Sequence, residues 1–314
     1  MSRNWIQTLV LSVVAVAITP WAAGEDAVSL QHKFPDGRRS TFHISNRVHQ
    51  VLTLHRQSHE VSSEQQLVVV AVCGNRDKDG ELRERVSIES LTAKMTMPGG
   101  IVLEFDSRRP EDATSGTRYD TFLDTIRIQA GSSWSVLRGK DHRVKSVDNR
   151  DKVLENLDQA SRDRLKRALD PGYLRDRANR ELDQIPDRPL SPGDSWELAD
   201  TMRLEAGQRL EFKATYVYRG TVTRDDRLVH QIDKKTTEVQ YRVDTDIPGS
   251  LALAASRLQP TTVEGVLYFD AERGQIVESR DTVQIAGDLT FRLQDAPLEG
   301  RLDLTLTNTL RVVD

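Results

Sequence analysis

The sequence predicts an α+β fold that is mainly antiparallel β, with one large curved sheet or partial barrel covered by a central helical segment. Apolar and polar residues alternate along most of the chain, and between residues 150 and 185 this alternation gives way to helical spacing. Alternating strands bury one face and leave the other in solvent, as antiparallel sheets do. The expected order is a first β half over 27–148, a helical segment over 150–185 and a second β half over 189–314.

The clearest alternation lies in 42–54, 210–218 and 302–312, where apolar side chains hold most of the even positions. Tight-turn sequences such as Asp79-Gly80 and Asp225-Asp226 separate neighbouring strands. Many strands joined by short turns favour a meander over βαβ units. Further strands are predicted at 66–73, 82–95, 100–106, 119–129, 134–138, 142–148, 228–244, 262–270 and 275–286.

The segment 150–185 carries apolar residues at helical spacing and oppositely charged pairs four residues apart. Pro171-Gly172 interrupts it, so two or three short helices are expected, and a proline-rich turn over 185–192 closes it. Because strands that are apolar on one face need cover, we expect these helices to pack across the concave side of the sheet or at one end.

The first 24 residues predict a cleaved signal peptide. Arg3 supplies the positive charge, residues 9–18 form a short apolar core, and Ala22-Ala23-Gly24 offers a cleavage site before Glu25. The alternative is an uncleaved anchor, but this core is far shorter than the roughly 20 apolar residues that span a bilayer. Residues 25–314 would then form a single exported domain, either periplasmic or extracellular.

Composition excludes several classes of partner. The only cysteine is Cys73, which permits neither a lipoprotein anchor at the cleavage site nor an internal disulfide. The formal net charge is −4, and it becomes −5 without Arg3, the only charged residue among the first 24. A mildly acidic chain of mixed sign argues against a nucleic-acid partner. The most apolar later run, 67–72, has strand length, so no integral membrane segment is expected after cleavage.

Four histidines invite a metal hypothesis, since His43, His49, His55 and His59 would share one face of a continuous strand. At about 3.3 Å per residue, His43 and His49 lie roughly 20 Å apart, and His55 and His59 roughly 13 Å. Metal ligands must converge within a few ångströms. The spacing therefore predicts solvated strand histidines.

Residues 75–82 match the first eight positions of a calcium-binding EF-hand loop, with Gly80 at the sixth. The twelfth position should be a bidentate glutamate and is Val86. A hairpin turned by Asp79-Gly80 explains the same residues more simply. Neither pattern predicts a metal ligand.

Nucleophile chemistry has little support. Cys73 ends an apolar run and is expected to be a small buried side chain. Ser195 lies in the run 193–197, which lacks the second glycine of a nucleophile elbow. We therefore expect a structural role for this run. Gly193 would form a turn, Asp194 or Ser195 would cap it, and Trp196 would pack in the core. The acidic pairs Asp225 with Asp226 and Asp244 with Asp246 are attributed to turns and chance. No phosphate loop, CxxC or HExxH occurs, so no catalytic residue and no cofactor is predicted.

Two segments carry a resemblance. The run 186–196 (PDRPLSPGDSW) follows an amphipathic helix, and 267–276 (LYFDAERGQI) reads as strand, turn and strand. Together they resemble an uncharacterised family of exported bacterial proteins, a domain of unknown function. The resemblance implies a fold and an exported location, as in secreted and envelope proteins, and it implies no activity or site residue. A more distant resemblance is to lipoprotein-carrier-like folds, in which a curved antiparallel sheet wraps around a helical plug.

The leading functional hypothesis is an exported, non-enzymatic protein that binds an apolar or lipid-like ligand between the sheet and the helices. The alternative is a structural or protein-interaction module of the cell envelope with a solid core, and the third is a hydrolase without a recognisable motif. A void of a few hundred Å³ lined by Val, Leu and Phe favours the first. A densely filled interior favours the second, and a polar cleft with convergent titratable groups favours an enzyme.

Overall fold

The described part of the chain is mostly antiparallel β, as predicted. The computed structural model describes residues 27–109, 116, 119–148, 159, 162, 170–203, 208–243, 252–293 and 296–313. In these residues, a single sheet contains twelve strands. The strands are β1 (Arg39–Leu54), β2 (Gln57–Arg76), β3 (Leu82–Met97), β4 (Ile101–Asp106), β5 (Ser133–Arg138), β6 (Val144–Asp148), β7 (Ser195–Arg203), β8 (Gln208–Arg224), β9 (Arg227–Val243), β10 (Ala252–Asp270), β11 (Gln275–Leu293) and β12 (Ala296–Val313).

The sheet is a meander whose two halves meet at its centre. Its order is β6-β5-β3-β2-β1-β12-β11-β10-β9-β8-β7, with β4 also paired to β3. Most neighbours are consecutive in the chain and antiparallel, so short turns suffice to connect them. The exception that unites the halves is the antiparallel pair β1 and β12, which runs from Thr41 opposite Val313 to Leu54 opposite Gly300.

The residues before β1 cross one end of the sheet. This N-terminal segment (residues 27–38) pairs Val28 with Leu190 in an isolated bridge. The Lys33 N–H then donates to the Gly274 carbonyl at 2.9 Å, and the Arg38 carbonyl accepts from the Cys73 N–H at 2.8 Å. The segment therefore connects the approach to β7, the β10–β11 turn and the end of β2.

Helix α1 (Asp120–Gln129) occupies a segment that was predicted to be a strand, and that prediction is wrong. Tyr119, Leu123 and Ile126 are buried and recur every three or four residues, which places them on one side of a helix. They pack with Leu103 and Phe105 of β4 in a core cluster that also contains β3 residues. A second, larger cluster is built by strands β8 to β12.

Helix α2 (Pro171–Asp183) confirms part of the predicted helical segment. Pro171 begins this helix instead of interrupting one, and the Asp170 carboxylate caps it by accepting from the Tyr173 N–H at 2.7 Å. Most of residues 150–169 lie outside the described residues. Leu174 and Ala178 pack at the β5–β6 edge, so the described helix lies along the edge of the sheet. On β3 and β4 it is α1 that covers the inner face.

A buried ion pair ties the end of the sheet to the N-terminal segment. The Arg138 guanidinium of β5 lies 2.7 Å from the Glu84 carboxylate of β3, and both side chains are almost fully buried. Arg138 also lies 4.2 Å from the centre of the Phe34 ring and donates to the His142 carbonyl at 3.1 Å. One side chain thus holds β3, the β5–β6 turn and the N-terminal segment together.

Replacing Arg138 should strongly destabilise the protein, because Glu84 would remain as an uncompensated buried charge. We expect Arg138→Met to lower the free energy of unfolding by about 3 to 5 kcal/mol. The matched control Arg301→Met removes an arginine whose ion pair with Asp303 is exposed, and it should change stability by no more than about 0.5 kcal/mol. Urea denaturation measures both, and equal effects would contradict the structural role of Arg138.

His32 predicts a loss of stability in acid. Its imidazole hydrogen-bonds the Leu182 backbone, and burial together with the Arg138 charge lowers its pKa to about 4. Between pH 6.5 and 4 the unfolded chain binds the extra proton and the folded chain does not, so stability falls as pH falls through this window. The expected loss is roughly 3 kcal/mol. His32→Gln should flatten the urea-measured profile there, and an unchanged slope would rule His32 out as its source.

Candidate functional site

The inner face of the sheet is the face on which α1 and the core clusters lie. On β1 it is formed by the even-numbered positions, because Val48 and Leu52 pack against the large cluster. The register then assigns the inner-face positions of neighbouring strands: Ile44 is opposite Leu310 of β12 and Leu67 of β2.

Four inner-face side chains at the centre of the sheet form an apolar patch: Phe42 and Ile44 of β1 with Leu310 and Val312 of β12. Phe42 is opposite Val312, and Ile44 is opposite Leu310. All four are half-buried. None belongs to a core cluster of the described residues, although they lie between the two largest. Within the described ranges, the inner face is therefore partly open at its centre.

A row of polar side chains borders this patch. Asn46 of β1 is opposite Asn308 of β12 and Gln65 of β2, and Asn308 is in turn opposite Asp281 of β11. The row continues across β10, β9 and β8. In strand order from β8 to β2 its members are Tyr216, Lys234, Gly265, Asp281, Asn308, Asn46 and Gln65.

Gly265 allows an ion pair to cross over a whole strand. The Lys234 Nζ of β9 donates to Asp281 Oδ2 of β11 at 2.6 Å, above Gly265 of the intervening β10. A Cβ at position 265 would lie 2.9 Å from both Asp281 Oδ1 and the Lys234 carbonyl oxygen. Only glycine fits at this position, because any side chain would collide with Lys234 and Asp281. Burial lowers the pKa of Lys234, but the attraction of Asp281 and Tyr216 outweighs it, so the pKa is raised.

Helix α2 carries charged side chains beside the two outermost strands of the sheet, β6 and β7. Arg177 and Glu181 form an i,i+4 pair at 3.5 Å, and 62% of the Glu181 side chain is accessible. Desolvation by surrounding protein nevertheless raises the pKa of Glu181. Arg180 donates to Asp200 of β7 at 2.9 Å, so α2 connects the two opposite edges of the sheet.

A pocket of about 690 Å³, the rim pocket, opens where the N-terminal segment meets the ends of β1 and β12. Its apolar lining includes Phe34 and Val312, and Val312 also belongs to the apolar patch. Most of the other lining side chains are charged. The volume agrees with that of a ligand cavity, but the charged lining differs from the expected lining of Val, Leu and Phe.

The histidines do not converge. His43 and His49 are exposed on the outer face, and His49 Nδ1 lies 3.8 Å from a Glu60 carboxylate oxygen. The expected continuous strand is interrupted at His55, which has a φ of 45° in the β1–β2 turn. His59 is consequently opposite Leu52 on the other face, so the predicted common face is wrong. Across the described ranges no group of three His, Cys, Asp or Glu residues could hold a metal.

The EF-hand-like run 75–82 contains the β2–β3 turn, as the hairpin interpretation predicted. Asp77 Oδ1 accepts from the N–H groups of Asp79 and Glu81, each at 2.9 Å. Gly80 has a φ of 73°. The Asp77 carboxylate oxygen therefore stabilises the turn by accepting backbone hydrogen bonds.

The nucleophile candidates occupy structural positions. Cys73 is buried, and burial followed by the Glu84 charge raises the pKa of its thiol. Ser195 begins β7 after a turn in which Gly193 has a φ of 96° and the Asp194 carboxylate accepts from the Ser191 N–H at 3.0 Å. Trp196 stacks on Tyr216 at 5.7 Å, in agreement with its predicted packing role.

The two acidic pairs differ in whether the structure describes them. Asp225 and Asp226 form the β8–β9 turn, both with positive φ, as predicted. Asp244 and Asp246 lie outside the described residues, as do residues 1–24. In the described portion, no helix has the length and hydrophobicity needed to cross a bilayer.

The chain matches no protein-family model and no curated protein. Among solved structures, one of lipovitellin, described for its lipid–protein interactions, is similar over 90% of this chain. The two are 9% identical with a TM-score of 0.41, and this chain spans 26% of the lipovitellin chain. OccK5 (OpdH) of Pseudomonas aeruginosa is 8% identical, with a TM-score of 0.21 and coverage of 88% and 98% of the two chains. A DUF1329 family protein of Desulfovibrio piger is 9% identical, with a TM-score of 0.11 and coverage of 86% and 85%. Scores this low assign no family, so membership of an uncharacterised exported family stays a prediction.

The ion pair across Gly265 can be tested by a double-mutant cycle. Lys234→Met should lower the free energy of unfolding by about 1 to 3 kcal/mol, because it leaves the Asp281 carboxylate partly buried without its cation. Adding Asp281→Leu removes the orphaned charge and should recover most of that loss. Urea denaturation of both single variants and the double variant measures the coupling, and strictly additive losses would contradict a direct interaction.

Proposed function

We propose that this chain is an exported, non-enzymatic protein that binds an apolar, lipid-like ligand on the inner face of its sheet. The mature protein would be the single domain 25–314, released from its signal peptide (1–24), and it would act in the periplasm or outside the cell. The hydrophobic core of that leader and its small-residue cleavage site support export.

The apolar patch is the observation that carries the proposal. Central strands of a sheet have neighbours on both sides and are normally its best-covered part. Here the flanks are covered, by α1 on β3 and β4 and by the large cluster on β8 to β11 and on β12 up to Leu306. Phe42, Ile44, Leu310 and Val312 remain half-exposed between them. Full burial of an exposed large apolar side chain gains about 1.5 to 3 kcal/mol, and completing the burial of these half-exposed ones gains part of that, so an apolar ligand would bind there favourably.

The polar row supports a ligand of limited apolar length. Asn46 and Asn308 adjoin Ile44 and Leu310 along their strands, and in the described residues neither amide group has a side-chain hydrogen bond. Polar groups that have no partner penalise contact with a hydrocarbon chain. The apolar part of a ligand would therefore lie on the side of this row toward the rim pocket.

The titratable groups near the rim pocket support a role without catalysis. A cysteine nucleophile requires a lowered pKa, and burial raises that of Cys73. His32 is held neutral by burial and the Arg138 charge. Glu84 is engaged by Arg138, at 2.7 Å.

Binding of the uncharged fluorescent probe N-phenyl-1-naphthylamine tests the proposal. The wild-type protein should bind it saturably, and Ile44→Gln should weaken binding about tenfold by replacing apolar contact with a polar side chain. Ser45→Gln is the matched control, since Ser45 is the next residue of β1 and faces the outer side; its affinity should equal wild type. Absent binding, or equal weakening by both substitutions, would overturn the proposal.

A further inference from the structure

The rim pocket is strongly basic. Five of its lining side chains are Lys or Arg, and the only acidic one is Glu272. They come from the N-terminal segment, the start of β1, the end of β2 and the β10–β11 turn. The fold thus gathers positive charge from four separate parts of the chain at one opening.

Three of these cations are compensated by carboxylates that do not line the pocket. Arg39 pairs with Glu89 at 2.8 Å, and Arg76 lies 3.9 Å from Asp36. Arg273 lies 3.5 Å from Asp270. Each of these three positive charges therefore has a carboxylate partner outside the pocket lining.

The other two, Lys33 and Arg38, are held by backbone carbonyls. Lys33 Nζ donates to the Ala271 and Glu272 carbonyls at 2.8 and 3.2 Å. Arg38 Nη1 donates to the Arg273 carbonyl at 2.9 Å, and its guanidinium lies 5.4 Å from the centre of the Phe34 ring. In the parts of the chain that the structure describes, neither cation has a carboxylate at ion-pair distance. Each keeps donor capacity for a further acceptor.

The part of the rim pocket around Arg38 is partly desolvated and positively charged. Burial lowers the pKa of Arg38, and the Glu84 charge offsets this effect only in part. Burial and the charges of Arg76 and Arg138 lower the pKa of His142, which also lines the pocket. An anion placed here would offset the cost of holding these charges away from water.

Val312 joins this pocket to the apolar patch, since it belongs to both. We propose that the ligand is an anionic amphipath, whose carboxylate or phosphate binds Lys33 and Arg38 in the rim pocket while its hydrocarbon part covers Phe42, Ile44 and Leu310. This inference rests on the proposed function. It adds that the ligand is charged, which end of it enters the rim pocket, and which side chains recognise that end.

Decanoate and decanol test the charge requirement, because the two probes have the same chain length and differ in their head groups. Each is titrated against bound N-phenyl-1-naphthylamine at low salt and pH 7.5, and displacement gives its affinity. Wild type should bind decanoate at least about tenfold more tightly than decanol. Equal affinities would overturn the anionic assignment and leave the proposed function standing, whereas failure of both to displace the probe would count against the proposed function itself.

Variants locate the head group. Arg38→Gln and Lys33→Gln should each reduce the preference for decanoate and leave decanol affinity unchanged, and Lys33 is exposed, so its replacement is expected to preserve the fold. Glu272→Gln removes the only acidic side chain of the lining and should tighten decanoate binding. Arg301→Gln, at an exposed site near the start of β12, should change neither affinity. A preference that persists in both cation variants would overturn the assignment.

Inorganic phosphate distinguishes an amphipath from a free anion. Without a hydrocarbon part it should compete with decanoate only weakly, and Ile44→Gln should lower decanoate affinity without affecting phosphate. Competition by phosphate as effective as that of decanoate would show that the pocket serves a free anion, and would overturn the amphipath proposal.

Discussion

The pairing of β1 with β12 is the constraint on which the rest of the structure depends. It joins strands from opposite ends of the chain at the centre of the sheet, from Thr41 opposite Val313 to Leu54 opposite Gly300. The large cluster covers the half of this pair that lies away from the N-terminal segment. The N-terminal segment covers only the end of this pair, and α1 covers β3 and β4. The apolar patch is the part of the inner face that this arrangement leaves open.

Much of the architecture could be predicted from the sequence, because alternation and turn chemistry are local. The β2–β3 and β8–β9 turns follow directly from Asp79-Gly80 and Asp225-Asp226. Helix α1 was missed because its short apolar run satisfies a period of two nearly as well as a helical period, and packing against β4 decides between them. The first half of β10 was missed too: it contains Pro260, which the strand accommodates at a register shift.

The candidate site could not be predicted in the same way, because it exists only through register. Asn46, Gln65 and Asn308 are unremarkable polar residues in three separate segments, and they become neighbours when β2, β1 and β12 pair. Lys234 and Asp281 likewise interact only because Gly265 separates them in the sheet. In the rim pocket, Lys33 and Arg38 precede the first strand, and no local pattern indicates that they meet the β10–β11 turn. No single residue or short motif indicates such a site, because the site forms only when distant segments pair.

The contact between α2 and β6 has a consequence for how copies of this protein behave toward one another. Strand β6 ends the sheet on one side, and Asn179 of α2 occupies its backbone: the amide oxygen accepts from the Val144 N–H at 2.8 Å, and the amide nitrogen donates to the Val144 carbonyl at 3.2 Å. A single side chain therefore takes the place of a neighbouring strand at Val144, whose N–H and carbonyl are no longer available to pair with another chain. At this border of the sheet, Asn179 therefore opposes the edge-to-edge pairing by which broad sheets polymerise.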